Sequence, residues 1–274
     1  MSNSRQDENV REHQDSDSSE VIVEKDNAVD YVKALKRPFS DTRKFLVGTI
    51  LGMIPIVNLT VIGYTLNSTG LAKNNGNRDG LPEWTNFVEL FMKGLGTVAI
   101  GIIMLLPAGL ILLGTFGSVI TSPALSMIFG GVPMDTWNNY AAGQMTDIQM
   151  EDWFAQNWTE FIPVFTKAVP LLLLGGLLAA LAFYILPAAI LGWVKEDRFS
   201  AAFSWETLKK TMTLDYLVNW LIVGYLGGVL TSLLGWVPFL STGITMYVSG
   251  VFSYTVFAVL YERATSEEQI IVSE

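Results

Sequence analysis

Cysteine is absent from this chain of 274 residues, and histidine occurs once, as His13. The first absence excludes disulfides, thiolate nucleophiles and cysteine-ligated metals. His13 lies in a polar amino-terminal stretch and reads as a solvated tail residue. A serine–histidine triad or a histidine–carboxylate metal site inside the fold is therefore excluded too. Charge is also scarce: 16% of the residues are Asp, Glu, Lys or Arg, against about 25% in a soluble domain. The scarcity is uneven. Phe45–Ala72, Gly94–Met134, Ala168–Val194 and Tyr216–Tyr261 carry no charged side chain. The formal net charge of -9 thus belongs to tails and loops, and acidic wet surfaces argue against nucleic acid as a partner.

A helix needs about 20 residues to cross a hydrocarbon core of about 30 Å. All four runs are long enough, and the second and fourth are long enough to cross twice. The expected fold is all-α: a polytopic, multi-pass protein of the cell membrane with six transmembrane helices, interfacial amphipathic helices and an internal repeat. Residues 1–27, rich in Ser, Asp, Glu, Gln and Asn, are expected to be a disordered cytoplasmic tail, with no apolar signal core. An integral membrane domain follows over 28–264, then a short cytoplasmic tail over 265–274.

The first span is expected over about Lys44–Leu66. The run from Gly94 supplies two, joined by a tight turn at Gly114–Gly117. The others are about Ala168–Leu191, Asp215–Leu234 and Pro238–Leu260, with the turn between the last two at Gly235–Pro238. Lys and Arg collect on the cytoplasmic side of membrane proteins. Lys33, Lys36, Arg37, Arg43 and Lys44 precede the first span, and Lys195, Arg198, Lys209 and Lys210 lie between the fourth and fifth. The loop with Asp135, Asp147, Glu151, Asp152 and Glu160 has no Lys or Arg. Six spans put both termini and the basic regions inside and this acidic loop outside. They also put Lys73, Arg78 and Lys93 outside, which the charge rule disfavours. A rival reading folds Phe45–Leu66 as a re-entrant hairpin turning at Pro55 and returns that loop to the inside. The six-span reading is preferred and the rival stays open.

The preference rests on a repeat. WTNFVELFMKG from Trp84 and WTEFIPVFTKA from Trp158 coincide at Trp, Thr, Phe, Phe and Lys. Each leads toward a Leu-Pro-Ala tripeptide, at Leu106 and Leu186. The aromatic spacing of three and four suits a helix lying along the interface, so Trp84 and Trp158 are expected to act as outer interfacial anchors. A same-direction repeat needs an even number of crossings between the two. A fainter echo pairs Gly52, Pro55 and Tyr64 with Gly235, Pro238 and Tyr247, and this one favours the hairpin.

Gly63-Tyr64, Leu81-Pro82-Glu83-Trp84, Phe91, Lys93-Gly94 and Leu106-Pro107-Ala108 together resemble the membrane family called domain of unknown function 4013, over roughly Ala28–Ala264. That resemblance implies a multi-pass, prokaryotic and mainly archaeal membrane protein, and no reaction.

Ionisable residues inside spans mark pumps and channels, and the span cores here have none. Asp215, with Asn219 one turn on, reads as a helix cap. Thr242, Thr245, Ser249 and Ser253 share one face of the last span. With Asn58 they form a candidate polar path, although contacts with other helices are the preferred explanation of the stripe. Pro55, Pro107, Pro170 and Pro187 interrupt spans as in transporters with broken helices. No residue is assigned a catalytic, cofactor-binding or metal-binding role. The expected function is a non-enzymatic membrane scaffold or assembly component. The alternatives are a carrier or channel for a small or lipid-like solute, and a membrane-surface enzyme relying on loop carboxylates. The expected partners are membrane lipids, with a second copy or other membrane proteins as further candidates.

Overall fold

The computed structural model describes residues 29–72, 80–120, 134–234 and 240–273, and within them all regular structure is helical. The elements are α1 (Tyr31–Lys36), a 3-10 turn (Arg37–Phe39), α2 (Thr42–Met53), α3 (Asn58–Asn67) and α4 (Phe87–Ile120). After these come α5 (Met134–Ala141), α6 (Asp147–Glu196), a second 3-10 turn (Phe199–Phe203), α7 (Trp205–Lys209), α8 (Leu214–Leu234) and α9 (Leu240–Ser273). Among the described residues four helices are long and apolar enough to cross a membrane: Phe87–Val119, Thr166–Glu196, Leu214–Leu233 and Leu240–Ser266. Six were expected, and two local differences account for the change.

The first concerns Lys44–Leu66, which is not one span. It is a pair of half-helices of 12 and 10 residues, about 18 and 15 Å long at 1.5 Å per residue. Neither reaches across about 30 Å of hydrocarbon. The break is at Pro55. Ile54 is extended (φ -93, ψ 115), as a residue before proline prefers. Ile56 has φ 71, an unusual conformation for a β-branched residue. The reversal keeps its carbonyls bonded: Asn58 N–H donates to Ile54 O at 2.9 Å, Leu59 to Ile56 at 3.1 Å and Thr60 to Val57 at 2.9 Å. Backbone away from water demands this. Beyond the turn the chain doubles back, so that Phe45 and Tyr64 both pack on Tyr247, with ring centroids 6.0 and 5.9 Å away.

The second difference is at Gly114–Gly117, where α4 continues as a helix to Ile120. A glycine inside a helix costs about 1 kcal/mol. Opening the helix in an apolar setting would strand backbone groups at several kcal/mol each. Thr115 Oγ1 is itself bonded back to Ile111 O at 2.7 Å. The remainder of the span expected next, over 121–133, and the Gly235–Pro238 turn lie outside the described residues, as does the tail 1–27. The tail expected over 265–274 continues as helix α9 to Ser273.

Helix α9 is the hub. Half of its apolar window is buried, against 17% in each of the other three long helices. The hairpin wedges between α9 and α4 through glycine contacts. A Cβ on Gly243 would lie 2.1 Å from Thr49 O, and one on Gly63 would lie 1.8 Å from Leu90 O. Only hydrogen fits at these positions. Gly96 meets Trp193 and Gly175 meets Leu112, so α4 and α6 are antiparallel. Asp215 pairs with Arg263, and Tyr216 packs on Phe257, so α8 and α9 are antiparallel too. The two copies of the sequence repeat differ at their starts, with Trp84 before α4 and Trp158 inside α6, and from Phe87 and Phe161 onward both are helical.

Candidate functional site

Polar groups concentrate where the hairpin opens. Residues 80–84 cross that mouth as a strap. Lys44 Nζ donates to Leu81 O at 2.7 Å and pairs with Glu83 at 2.7 Å. Tyr64 Oη donates to Pro82 O at 2.8 Å. Trp84 stacks on Tyr64 with ring centroids 3.8 Å apart, and its Nε1 donates to Lys44 O at 3.2 Å. Lys93 reaches back to Asn67 and Glu89, both at 2.7 Å. Asp41 caps α2 by accepting from Lys44 N at 3.1 Å. That backbone bond, with the Lys44 charge behind it, holds the Asp41 carboxyl below its usual pKa.

Arg37 ties this mouth to α9. Its guanidinium donates to Ser68 O at 2.6 Å, to Gly80 O at 3.3 Å and to Thr255 Oγ1 at 3.1 Å. A second polar knot adjoins it. Tyr31 Oη donates to Asn219 Oδ1. Asn219 Nδ2 donates to Asp215 Oδ1 at 3.0 Å, and Asp215 pairs with Arg263 at 2.7 Å. Burial, then the Asp215 charge, raises the Tyr31 phenol above its usual pKa. Asp215 therefore joins elements rather than capping α8; the cap is Thr213, whose Oγ1 accepts from Tyr216 N at 3.1 Å. Lys210 is buried over the Tyr261 ring, 4.2 Å from its centroid. The Asp215–Asn219 spacing was visible in the sequence. Nothing there marked Tyr31 or Arg263 as its neighbours, because they come from distant segments.

Between α1 and the carboxyl half of α9 lies a crevice of about 660 Å³, lined by Lys33, Lys36, Arg37, Thr69, Thr255 and Val259 among others. Asp30, also in its wall, is engaged as the α1 cap, accepting from Lys33 N at 2.8 Å.

The residues of the expected polar path do not gather at this crevice. Thr242 is exposed, while Asn58, Thr245, Ser249 and Ser253 are half-buried. Neither this crevice nor the apolar one of about 370 Å³ beside Tyr184 and Leu217 is lined by any of them. The Thr49 and Ser249 hydroxyls are buried without a hydrogen-bond partner among the described residues. Trp84 is half-buried in the strap; the side chain of Trp158 lies outside the description. No group of His, Cys, Asp and Glu suited to a metal occurs among the described residues.

A family model described as "Protein of unknown function (DUF4013)" matches residues 47–240, well over half of the chain, and the chain belongs to this family. No curated protein and no solved structure matches it.

Proposed function

We propose that this DUF4013-family chain is a non-enzymatic, multi-pass protein of the cell membrane that serves as a scaffold or assembly component. In this reading α4, α6, α8 and α9 each cross the bilayer, and the α2–α3 hairpin dips in and returns on the side where α4 begins. Charge supports the arrangement. Lys33, Lys36, Arg37, Lys44, Lys93, Lys195, Lys210 and Arg263 fall on one side and the acidic stretch from Asp135 to Glu160 on the other, as the positive-inside rule expects.

One observation carries the scaffold reading over a carrier: the hairpin is a packed seam. Gly52 lies against Gly243 backbone to backbone, and the mouth is bonded shut by the strap. The half-helix tip is Ile-Pro-Ile-Val, and its Ile54, Ile56 and Val57 carbonyls accept from the amides of Asn58, Leu59 and Thr60, so it is apolar where a transporter's broken helix would present dipoles to an ion. The half-helices themselves remain the feature that favours a carrier.

Two measurements test this. Single cysteines at Thr85, Asn139 and Asp197, probed with an impermeant thiol reagent on intact cells, should label at 139 alone. Labelling at 85 would restore a full first span. Purified protein in liposomes should pass no small solute under an ion gradient and scramble no lipid; reproducible flux would replace the scaffold with the carrier.

A further inference from the structure

From the α1–α9 crevice we infer a binding site for a phosphate-bearing amphiphile, an anionic lipid held by its headgroup. Its volume of about 660 Å³ falls within the roughly 300–1,000 Å³ of ordinary ligand pockets. Its walls divide by chemistry. Lys33, Lys36 and Arg37 line it together with Ser40, Thr69 and Thr255, while Val29, Val32, Val256, Ala258 and Val259 supply the apolar remainder. Three cations stand against one carboxylate, Asp30, and that carboxylate is turned to the α1 backbone. Lys33 and Lys36 are exposed and form no ion pair among the described residues.

Arg37 behaves differently from the two lysines. Its guanidinium is committed to Ser68, Gly80 and Thr255, so it fixes the wall and adds fixed positive potential. The flexible lysines are the groups that can close on a phosphate, as point charges do. Val32, 61% exposed, lies at the rim, where hydrocarbon from the same molecule would cover it. Val256, Ala258 and Val259 of the apolar wall belong to α9, one of the four helices long and apolar enough to cross a bilayer. The headgroup therefore docks at the level where a lipid's own tails continue along the protein. The inference is independent of whether the chain is a scaffold or a carrier.

The test is titration of the full-length protein in nonionic detergent with fluorescent phosphatidylglycerol and fluorescent phosphatidylcholine. The first should bind at least about tenfold tighter. The double variant Lys33→Gln/Lys36→Gln should erase that preference, since each cation near a phosphate surface is worth several-fold. Arg43→Gln/Lys209→Gln removes the same charge from exposed positions outside the crevice and should change binding less than about twofold. Val32→Glu, which puts an anion at the rim, should also weaken phosphatidylglycerol, and it keeps the test open if the lysine variant folds poorly. Equal losses in the two double variants would show diffuse surface charge and overturn the site. Full displacement of the lipid by millimolar inorganic phosphate would show a small-anion site and overturn the amphiphile.

Discussion

The hairpin mouth and the stretch from α5 into the first turns of α6 are both polar, yet they are organised in opposite ways. At the mouth long-range bonds join distant segments: Arg37 to Ser68 and Thr255, Lys44 to Leu81, Tyr64 to Pro82. In the second region two local motifs stand out. Thr146 and Gln149 form a reciprocal capping box at the start of α6, and Tyr140 donates to Asp147 at 2.7 Å. Asp135, Asp147, Glu151 and Asp152 stay exposed. A local motif forms from sequence neighbours and persists if the rest of the molecule shifts. A long-range bond fixes the relative position of distant segments, and its loss is felt by all of them. The mouth is thus the part of the molecule that holds the tertiary arrangement.

The sharpest way to break the contrast is steric. Gly63→Val drives a side chain into Leu90 O, 1.8 Å from the Cβ position, whereas Gly117→Val enters open space. The first should lose about 3 kcal/mol or more, or fail to fold, and the second should stay within about 1 kcal/mol. Unfolding in mixed micelles followed by tryptophan fluorescence provides the comparison. Equal stability of the two variants would show that the hairpin does not pack on α4.

A smaller effect separates the two kinds of polar contact. Arg37→Met removes charged hydrogen bonds to three partners and should cost about 2 kcal/mol, with faster proteolysis between residues 80 and 86. Gln149→Ala removes one arm of the capping box and should cost less than about 1 kcal/mol, with no change at the strap. If Gln149→Ala proved the more damaging, the second region would be a tertiary determinant after all.

The smallest effect is a titration. Tyr31 and Tyr140 both have raised phenol pKa values, the first chiefly by burial and the second by its bond to Asp147. A pKa raised on folding means that the folded state keeps the proton longer. The stability is complete below the ordinary tyrosine value of about 10 and falls as pH rises from there through the folded value. Asp147→Asn should bring Tyr140 down and leave Tyr31 where it is. Absorbance at 295 nm, with Tyr31→Phe and Tyr140→Phe for assignment, measures both. Movement of Tyr31 in Asp147→Asn would show that the two regions are electrically linked.

Four of the long apolar helices were legible as charge-free runs, because the cost of burying charge in hydrocarbon writes itself into composition. The hairpin was legible only as an alternative. Pro55 marks a break in either reading, and a bent span and a reversed one need the same local residues. The repeat from Trp84 and Trp158 had favoured two spans after Gly94; its Phe87–Lys93 and Phe161–Lys167 parts are helical alike, and the Trp-Thr pair differs, non-helical before α4 and helical inside α6. Thr242, Thr245, Ser249 and Ser253 all lie within α9. What their stripe meets could not be read at all.

By itself, then, the sequence determined an all-helical chain with apolar helices, the basic and acidic segments, and the places where helices start and break. These follow from local propensity, hydropathy and the geometry of proline, which act between near neighbours. Only the tertiary structure decided that the chain reverses at Ile56, that Arg37 joins Ser68 to Thr255, and that α1 and α9 enclose a crevice. Each of those depends on which surfaces pack closely enough for glycine hydrogens to touch backbone, a property of two segments together that neither carries alone.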